Sequence, residues 1–255
     1  MLFTVLLTYD ALHYVCHDRL FIRCLKSLLP LLKFAQLRIH TTTLQATTRL
    51  VEQVITLSSH VRVIDSTSAI KSIYNIDDDD DDDVTRGVGE PPFIGHYRVF
   101  ALPMYVRQTD KPVLYMDHDA FVSDHERLLQ LVLDNGPTDV LPRLWSAETC
   151  TIGTIQAAST KVTKLPHMSH KLAQFTSLNN GAIFAGRAAL PALDKALKHY
   201  LSWQSKLSPG TMLWSNDSLC INLVLASMGF NRHKTYHLRS CIAHTIREKP
   251  HRFTL

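Results

Sequence analysis

The chain has 255 residues, 45% of them hydrophobic and 20% charged, with only 9 Gly and 11 Pro. That length and composition suffice for one sizeable core and exclude collagen-like and broadly disordered chains. The formal net charge of +4 conceals an unbroken run of seven aspartates, Asp77 to Asp83; without them 16 acidic residues face 27 basic ones, a net +11 that points to a polyanionic ligand such as a nucleoside diphosphate, a nucleic acid or an anionic membrane surface.

Phe3 to Thr8 is a continuous apolar run, the pattern of a strand buried on both faces of a parallel sheet. Leu20, Cys24, Leu25 and Leu28 recur at helical spacing, and Pro30 ends that stretch. Gln36 to His40 reads as a second strand, Thr43 to Leu57 as a helix, and Val61 to Ile64 as a third strand ending at Asp65. This alternation predicts βαβ units and a parallel sheet. The aspartates and the Gly- and Pro-containing segment after them read as a mobile acidic surface loop over 77–92, since adjacent like charges cannot pack. Consecutive carboxylates also lack the rigid geometry of a metal site. Tyr97 to Val106 reads as a helix and Val113 to Met116 as a strand ending at Asp117. Beyond a polar stretch from Ser146 to Ser177, the pattern predicts a strand over Gly181 to Ala185, helices over Ala189 to Trp203 and Asp217 to Met228, and a last strand near Tyr236 to Ile242.

No apolar run approaches the roughly 18 residues of a membrane span, and Met1 to Leu7 lacks the basic leader of a signal peptide. The cysteines, Cys16, Cys24, Cys150, Cys220 and Cys241, are odd in number, widely spaced and form no CxxC pair. They argue against a disulfide framework or structural zinc site and for a reducing, cytoplasmic compartment.

The sharpest chemical feature is Asp117-His118-Asp119, delivered by the apolar strand before it. In an open α/β sheet the C-terminal strand edge is where ligands bind. Two carboxylates there can share one Mn²⁺ or Mg²⁺, which can also hold a diphosphate. The alternative is a pair of solvated turn aspartates. Asp10 and Asp65 end the first and third strands, where a nucleoside pocket would form.

The stretch from Tyr97-Arg98 through Asp119 resembles the donor-site core of GT-A-fold glycosyltransferases: a Tyr-Arg pair, an apolar helix, and a strand ending in DxD. In motif order it is nearest to glycosyltransferase family 8, the glycogenin and lipopolysaccharide galactosyltransferase type. Asn179-Asn180-Gly181-Ala182-Ile183-Phe184 resembles the family's asparagine–glycine strand, and Asn216-Asp217-Ser218-Leu219-Cys220-Ile221-Asn222 its "DQ…N" helix start, with serine in place of glutamine. His244 to Pro250 resembles its C-terminal His…Lys-Pro element, with a shorter His–Lys spacing. Asp10 to Tyr14 loosely echoes an early uracil-contacting Asp…Tyr, and the aspartate run is no family feature.

The resemblance implies a single α/β GT-A domain over residues 1–255. A Rossmann-like nucleotide-binding part would occupy 1–125 and a smaller acceptor-binding part 126–255. It implies a Mn²⁺- or Mg²⁺-dependent, retaining transfer from a nucleotide-sugar donor, a UDP-sugar, to a glycan, protein or lipid hydroxyl. Asp117, Asp119 and His244 would hold the metal. Asp10, Tyr14, Arg98, Asp117, Asn180 and Gly181 would bind the donor. Asp217 would orient the transferred sugar or take the acceptor's proton, and Lys249 would contact the diphosphate. Each has a plainer alternative. Asp217 could be the N-cap of the following helix, Arg98 a helix-surface arginine, Asn180-Gly181 a turn before a strand, and Trp145 and Trp214 core residues and not sugar platforms. Specific nucleic-acid binding is not expected, because no RNA-binding signature or zinc-finger spacing accompanies the charge. Peripheral contact with an anionic membrane is compatible with it. Two other readings remain: a haloacid-dehalogenase-type phosphatase, whose motif normally carries threonine or valine where Phe121 stands, and a non-catalytic nucleotide-sugar or nucleic-acid binding module.

Overall fold

The computed structural model describes residues 1–11, 17–76, 93–109, 111–135, 143–145, 179–207, 216–227 and 238–244. Its strands are β1 (Phe3–Thr8), β2 (Ala35–Thr41), β3 (Val61–Asp65), β4 (Val113–Met116), β5 (Ala120–Val122), β6 (Arg143–Trp145), β7 (Asn179–Ala185) and β8 (Ile242–His244). Its helices are α1 (Asp18–Leu28), α2 (Leu44–Glu52), α3 (Thr67–Tyr74), α4 (Arg98–Gln108), α5 (His125–Asn135), α6 (Leu190–Gln204) and α7 (Asn216–Ser227). The main sheet has the order β3-β2-β1-β4-β7-β6. Its first four strands are parallel, so β1 to β4 share one C-terminal edge. The parallel sheet expected from the first hundred residues is present in β1 to β4, while β7 runs antiparallel to β4 and β6 antiparallel to β7. β5 and β8 form a separate antiparallel pair.

The period of β1 sorts its side chains onto two faces. Phe3, Val5 and Leu7 join Phe21, Leu25 and Leu28 of α1, Leu50 and Val51 of α2 and Leu128 and Val132 of α5 in one cluster. Leu6 points the other way, into a cluster with Ile70, Leu102, Val106, Tyr115, Ala196 and Val224 from α3, α4, β4, α6 and α7. Helices on both faces are why β1 and β4 are buried throughout and read as unbroken apolar runs.

Several boundaries depart from the sequence expectation. α1 buries Phe21, Cys24, Leu25 and Leu28, with Leu20 at the margin, and Pro30 sits in a short 3₁₀ turn over Leu29–Leu31. α2 stops at Glu52, short of Leu57. α3 and α5 were not read from the sequence, although Ile70, Ile73 and Tyr74 and, more clearly, Leu128, Leu131 and Val132 recur at helical spacing. Turn chemistry also marks their ends: Asn75 ends α3 with φ 53°, in the left-handed region that asparagine tolerates, and the Asp124 carboxylate accepts the Arg127 N–H at 2.9 Å in the manner of an N-cap. The last strand spans Ile242–His244, displaced from the expected Tyr236 to Ile242. The acidic segment 77–92, the polar stretch 146–177, Tyr14, Trp214 and Lys249 lie outside the described residues. Among the described residues no helix is long and apolar enough to cross a membrane.

His40 joins three elements. One ring nitrogen faces the Ser66 hydroxyl at 2.8 Å and the other the Tyr105 hydroxyl at 3.1 Å. Burial, then the Arg38 charge, lowers its pKa from the ordinary 6.5 to about 4. The unfolded chain therefore takes up a proton here before the folded one does. The stability from keeping His40 neutral is complete above its unfolded pKa and is lost as pH falls toward about 4. The loss amounts to at most about 3 kcal/mol. Urea melts across this range should show His40→Gln with a flatter pH dependence than wild type. Parallel curves would overturn the assignment.

Candidate active site

β4 ends at the sheet's C-terminal edge and hands the chain to the Asp117-His118-Asp119 turn. The Asp117 N–H donates to the Gly181 carbonyl at 2.7 Å, and the Ala120 N–H to the Asp117 carbonyl at 3.0 Å. The turn is thus pinned between β7 and β5. The Asp117 side chain is 26% exposed, whereas Asp119 is buried. Tyr115, two residues earlier on the same strand face, donates its hydroxyl to Asp117 Oδ1 at 2.8 Å and meets the Thr8 hydroxyl at 3.1 Å. Cys24 of α1 lies under the turn, its Sγ 3.9 Å from the Asp117 carbonyl. Burial pushes its thiol pKa up, and the charges of Asp119 and Asp117 push it further. Both carboxylates therefore act on one small volume, the arrangement a divalent cation relieves. His118 turns back toward the β1–α1 connection, 2.9 Å from a ring nitrogen of His17.

Arg98, the first residue of α4, is not a surface arginine. Its guanidinium bridges two carboxylates. Nη1 lies 3.0 Å from Asp117 Oδ1; Nε donates to Asp217 Oδ2 at 2.5 Å, and Nη2 contacts the same oxygen. Burial alone would lower the Arg98 pKa, but the charges of Asp217 and Asp117 outweigh it and hold the group above its ordinary value. Asp217 is the second residue of α7, inside the first turn and not in front of it, so the N-cap alternative does not hold. Its side chain is 2% exposed and committed to Arg98. An acidic residue in a helix's first turn is also favoured by the helix dipole.

Asp10 is fully buried. Oδ1 accepts the Thr41 hydroxyl at 2.7 Å and the Thr42 N–H at 2.6 Å, and Oδ2 accepts the Thr42 hydroxyl at 2.7 Å. It ties the ends of β1 and β2 together and turns no oxygen to solvent. Asp10→Ala should lower unfolding free energy by about 3 kcal/mol, because it strands these donors; a chemical denaturation curve unchanged from wild type would refute that. Asp65, at the end of β3, is exposed and accepts the Thr67 N–H and hydroxyl at 2.9 and 2.6 Å.

The backbone of Gly181 sits directly beside Asp117, and Asn180 precedes it in β7. His244 lies across from Ala120 in the β5–β8 pair, one residue from Asp119. Among the described residues no three His, Cys, Asp or Glu side chains form a ready metal cage. The turn brings two carboxylates close in sequence, and oxygen ligands of that kind suit Mn²⁺ or Mg²⁺. The sequence reading missed Tyr115, His96, Tyr200 and Tyr74. His96 Nε2 lies 3.7 Å from Asp217 Oδ1, and its Nδ1 lies 3.1 Å from the Tyr200 hydroxyl. Only the adjacency of His96 to Tyr97-Arg98 could have drawn attention to it.

The sequence matches no protein-family model and no curated protein. Solved structures do resemble the chain. Mouse xyloside xylosyltransferase 1, in its apo form, superposes with a TM-score of 0.51 at 15% identity, covering 89% of this chain and 83% of its own. The galactosyltransferase LgtC, in complex with donor and acceptor sugar analogues, superposes with a TM-score of 0.51 at 13% identity, covering 87% and 70%. At these identities the likeness establishes architecture. The mostly parallel sheet flanked by helices on both faces, with its DxD turn at the C-terminal edge, is the GT-A glycosyltransferase fold.

Proposed function

We propose that the protein is a metal-dependent glycosyltransferase that moves a sugar from a nucleoside diphosphate donor, a UDP-sugar, to a hydroxyl of a glycan, protein or lipid. The observation that carries this reading is the Asp117–Asp119 turn at the C-terminal edge, held by Arg98, in a fold shared with glycosyltransferases. Asp117, Asp119 and His244 would hold Mn²⁺ or Mg²⁺. When bound, the cation would neutralise the donor's diphosphate and stabilise negative charge on the leaving group. Arg98 and Lys249 would add positive charge toward the diphosphate, which lowers the cost of that charge as the sugar departs. Asn180 and Gly181 border the transferred sugar, where the missing Cβ of Gly181 lets a ligand approach the backbone. Asp10 would shape the nucleoside end of the cleft through the β1–β2 junction, and Tyr14 would bind the donor there. The protein would work in a reducing, cytoplasmic compartment, where the buried Cys24, Cys220 and Cys241 stay thiols.

Retention is part of the same reading, and the burial of Asp217 supports it. Inversion needs a carboxylate placed to deprotonate the acceptor on the face opposite the leaving group. The carboxylate that motif order brings to the acceptor side, Asp217, is buried against Arg98. Deprotonation then falls to the leaving diphosphate, on the face it leaves. A donor-hydrolysis screen across UDP- and GDP-sugars, with and without Mn²⁺, tests the activity. Metal-stimulated release of UDP from one sugar nucleotide is the expected result, and none from any would refute the reading. Proton NMR of the first product from an α-linked donor should show an α-linkage; an initial β-linkage would overturn retention while leaving the transferase intact.

A further inference from the structure

We propose that Asp217, His96 and Tyr200 are positioning residues: a buried relay, Tyr74–Tyr200–His96–Asp217, that aims the Arg98 guanidinium at Asp117 and so sets the affinity for the donor's diphosphate. The proposal rests on the transferase reading above and assigns Asp217 a role behind Arg98. The links are spatial and come from four elements. The hydroxyls of Tyr74 on α3 and Tyr200 on α6 are 2.6 Å apart. Tyr200 lies 3.1 Å from His96 Nδ1, in the 3₁₀ turn Phe93–Tyr97 before α4. His96 Nε2 faces Asp217 Oδ1 at 3.7 Å, outside hydrogen-bond range but within reach of charge–dipole attraction. Asp217 Oδ2 receives Arg98, which reaches Asp117 at 3.0 Å with its other arm.

Every member except Asp117 is buried, and buried polar groups of this kind hold one geometry because the alternatives leave a donor or acceptor unmet. Burial lowers the His96 pKa, against the raising effect of Asp217, and raises those of Tyr74 and Tyr200. The ring is thus a neutral imidazole and the two phenols keep their protons. The tautomer that suits both neighbours carries its proton on Nε2, toward the carboxylate, and accepts the Tyr200 hydroxyl on Nδ1. The Tyr200 ring also packs edge-on against Phe100 and His96, so its hydroxyl is placed by the core and not by solvent. A guanidinium on a long side chain gains most from such backing, since otherwise its rotamer freedom must be lost on binding.

Calorimetry of UDP binding with saturating Mn²⁺ tests the relay. Tyr200→Phe keeps the ring and removes only the hydroxyl; His96→Leu removes both polar nitrogens, and His96→Gln restores an amide N–H. Tyr200→Phe and His96→Leu should each weaken UDP binding about fivefold, the scale of coupling within one polar network. His96→Gln should recover to within about twofold of wild type on the same scale. In an Arg98→Gln background Tyr200→Phe should add no further loss, because the relay acts through Arg98. A merely structural hydroxyl would lower the melting temperature in both backgrounds and leave UDP affinity alone. Unchanged affinity in Tyr200→Phe and His96→Leu, or full additivity with Arg98→Gln, would overturn the relay with the transferase reading intact. Wild-type protein that binds no nucleoside diphosphate with Mn²⁺ would overturn both.

Discussion

Asp117→Ala and Asp119→Ala should each abolish Mn²⁺-dependent UDP binding, with a loss of at least about 100-fold in affinity, the upper range seen even for groups that only support metal ligands. The two side chains stand one residue apart in a turn pinned by the Gly181 carbonyl and the Ala120 amide. One carboxylate is partly exposed and the other is buried, so their mutual repulsion is poorly screened by water. A bound cation removes that repulsion, and much of its binding energy depends on both charges being present. Loss of either leaves a weak one-carboxylate site. Folding should not suffer in Asp119→Ala, because removing a buried carboxylate also removes its desolvation cost. The check is calorimetry of UDP with and without Mn²⁺, beside a thermal melt. Wild-type affinity in both variants would sink the metal assignment, and a collapsed melting temperature in Asp119→Ala would show that the buried carboxylate serves the fold instead.

Arg98→Gln should be the most damaging single change at the site. It removes the partner of a 2% exposed carboxylate, Asp217, and of Asp117 together. Breaking one side of a buried ion pair leaves an uncompensated charge and costs roughly 3–5 kcal/mol. On the proposed reading the same change also removes a positive charge that would serve the donor's phosphates, so kcat/KM should fall by at least about 100-fold, on the scale of one lost transition-state donor. Arg98→Lys should rescue little. Bridging two carboxylates uses the planar fork of a guanidinium, and an ammonium on a shorter reach satisfies one of them at most. The experiment is a denaturation series with steady-state kinetics on the same preparations. Near-wild-type stability in Arg98→Lys would mean that a point charge is sufficient and that the two-carboxylate geometry is incidental.

How much of this was legible beforehand depended on local physics. β1 and β4 were read to the residue because burial on both faces makes a strand a short continuous apolar run. The helices α4, α6 and α7 were read to within two residues at either end. α3 was missed because it has only 8 residues and follows β3 directly, whereas α5, with Leu128, Leu131 and Val132 at helical spacing over 11 residues, was readable and was passed over. β5 and β8 were missed or displaced because three-residue strands carry almost no periodic signal. The antiparallel run of β7 beside β4 had no local mark at all: the side-chain period of a strand is the same in either direction.

Within the site the same division holds. The sequence by itself determined the Asp117-His118-Asp119 turn, its delivery by a buried strand, and the candidacy of Arg98, because each is encoded in contiguous residues whose chemistry is visible without a partner. Only the tertiary structure decided what those residues do to one another. Arg98 meets Asp217 across 119 positions of chain, and His96 meets Tyr200 across 104. Asp10 and Asp217, both read from sequence as groups at a ligand site, are buried among donors supplied by neighbouring segments. A carboxylate's role follows from whether water or another side chain surrounds it, and that is set by which elements the fold packs against it, a property no single stretch of sequence carries.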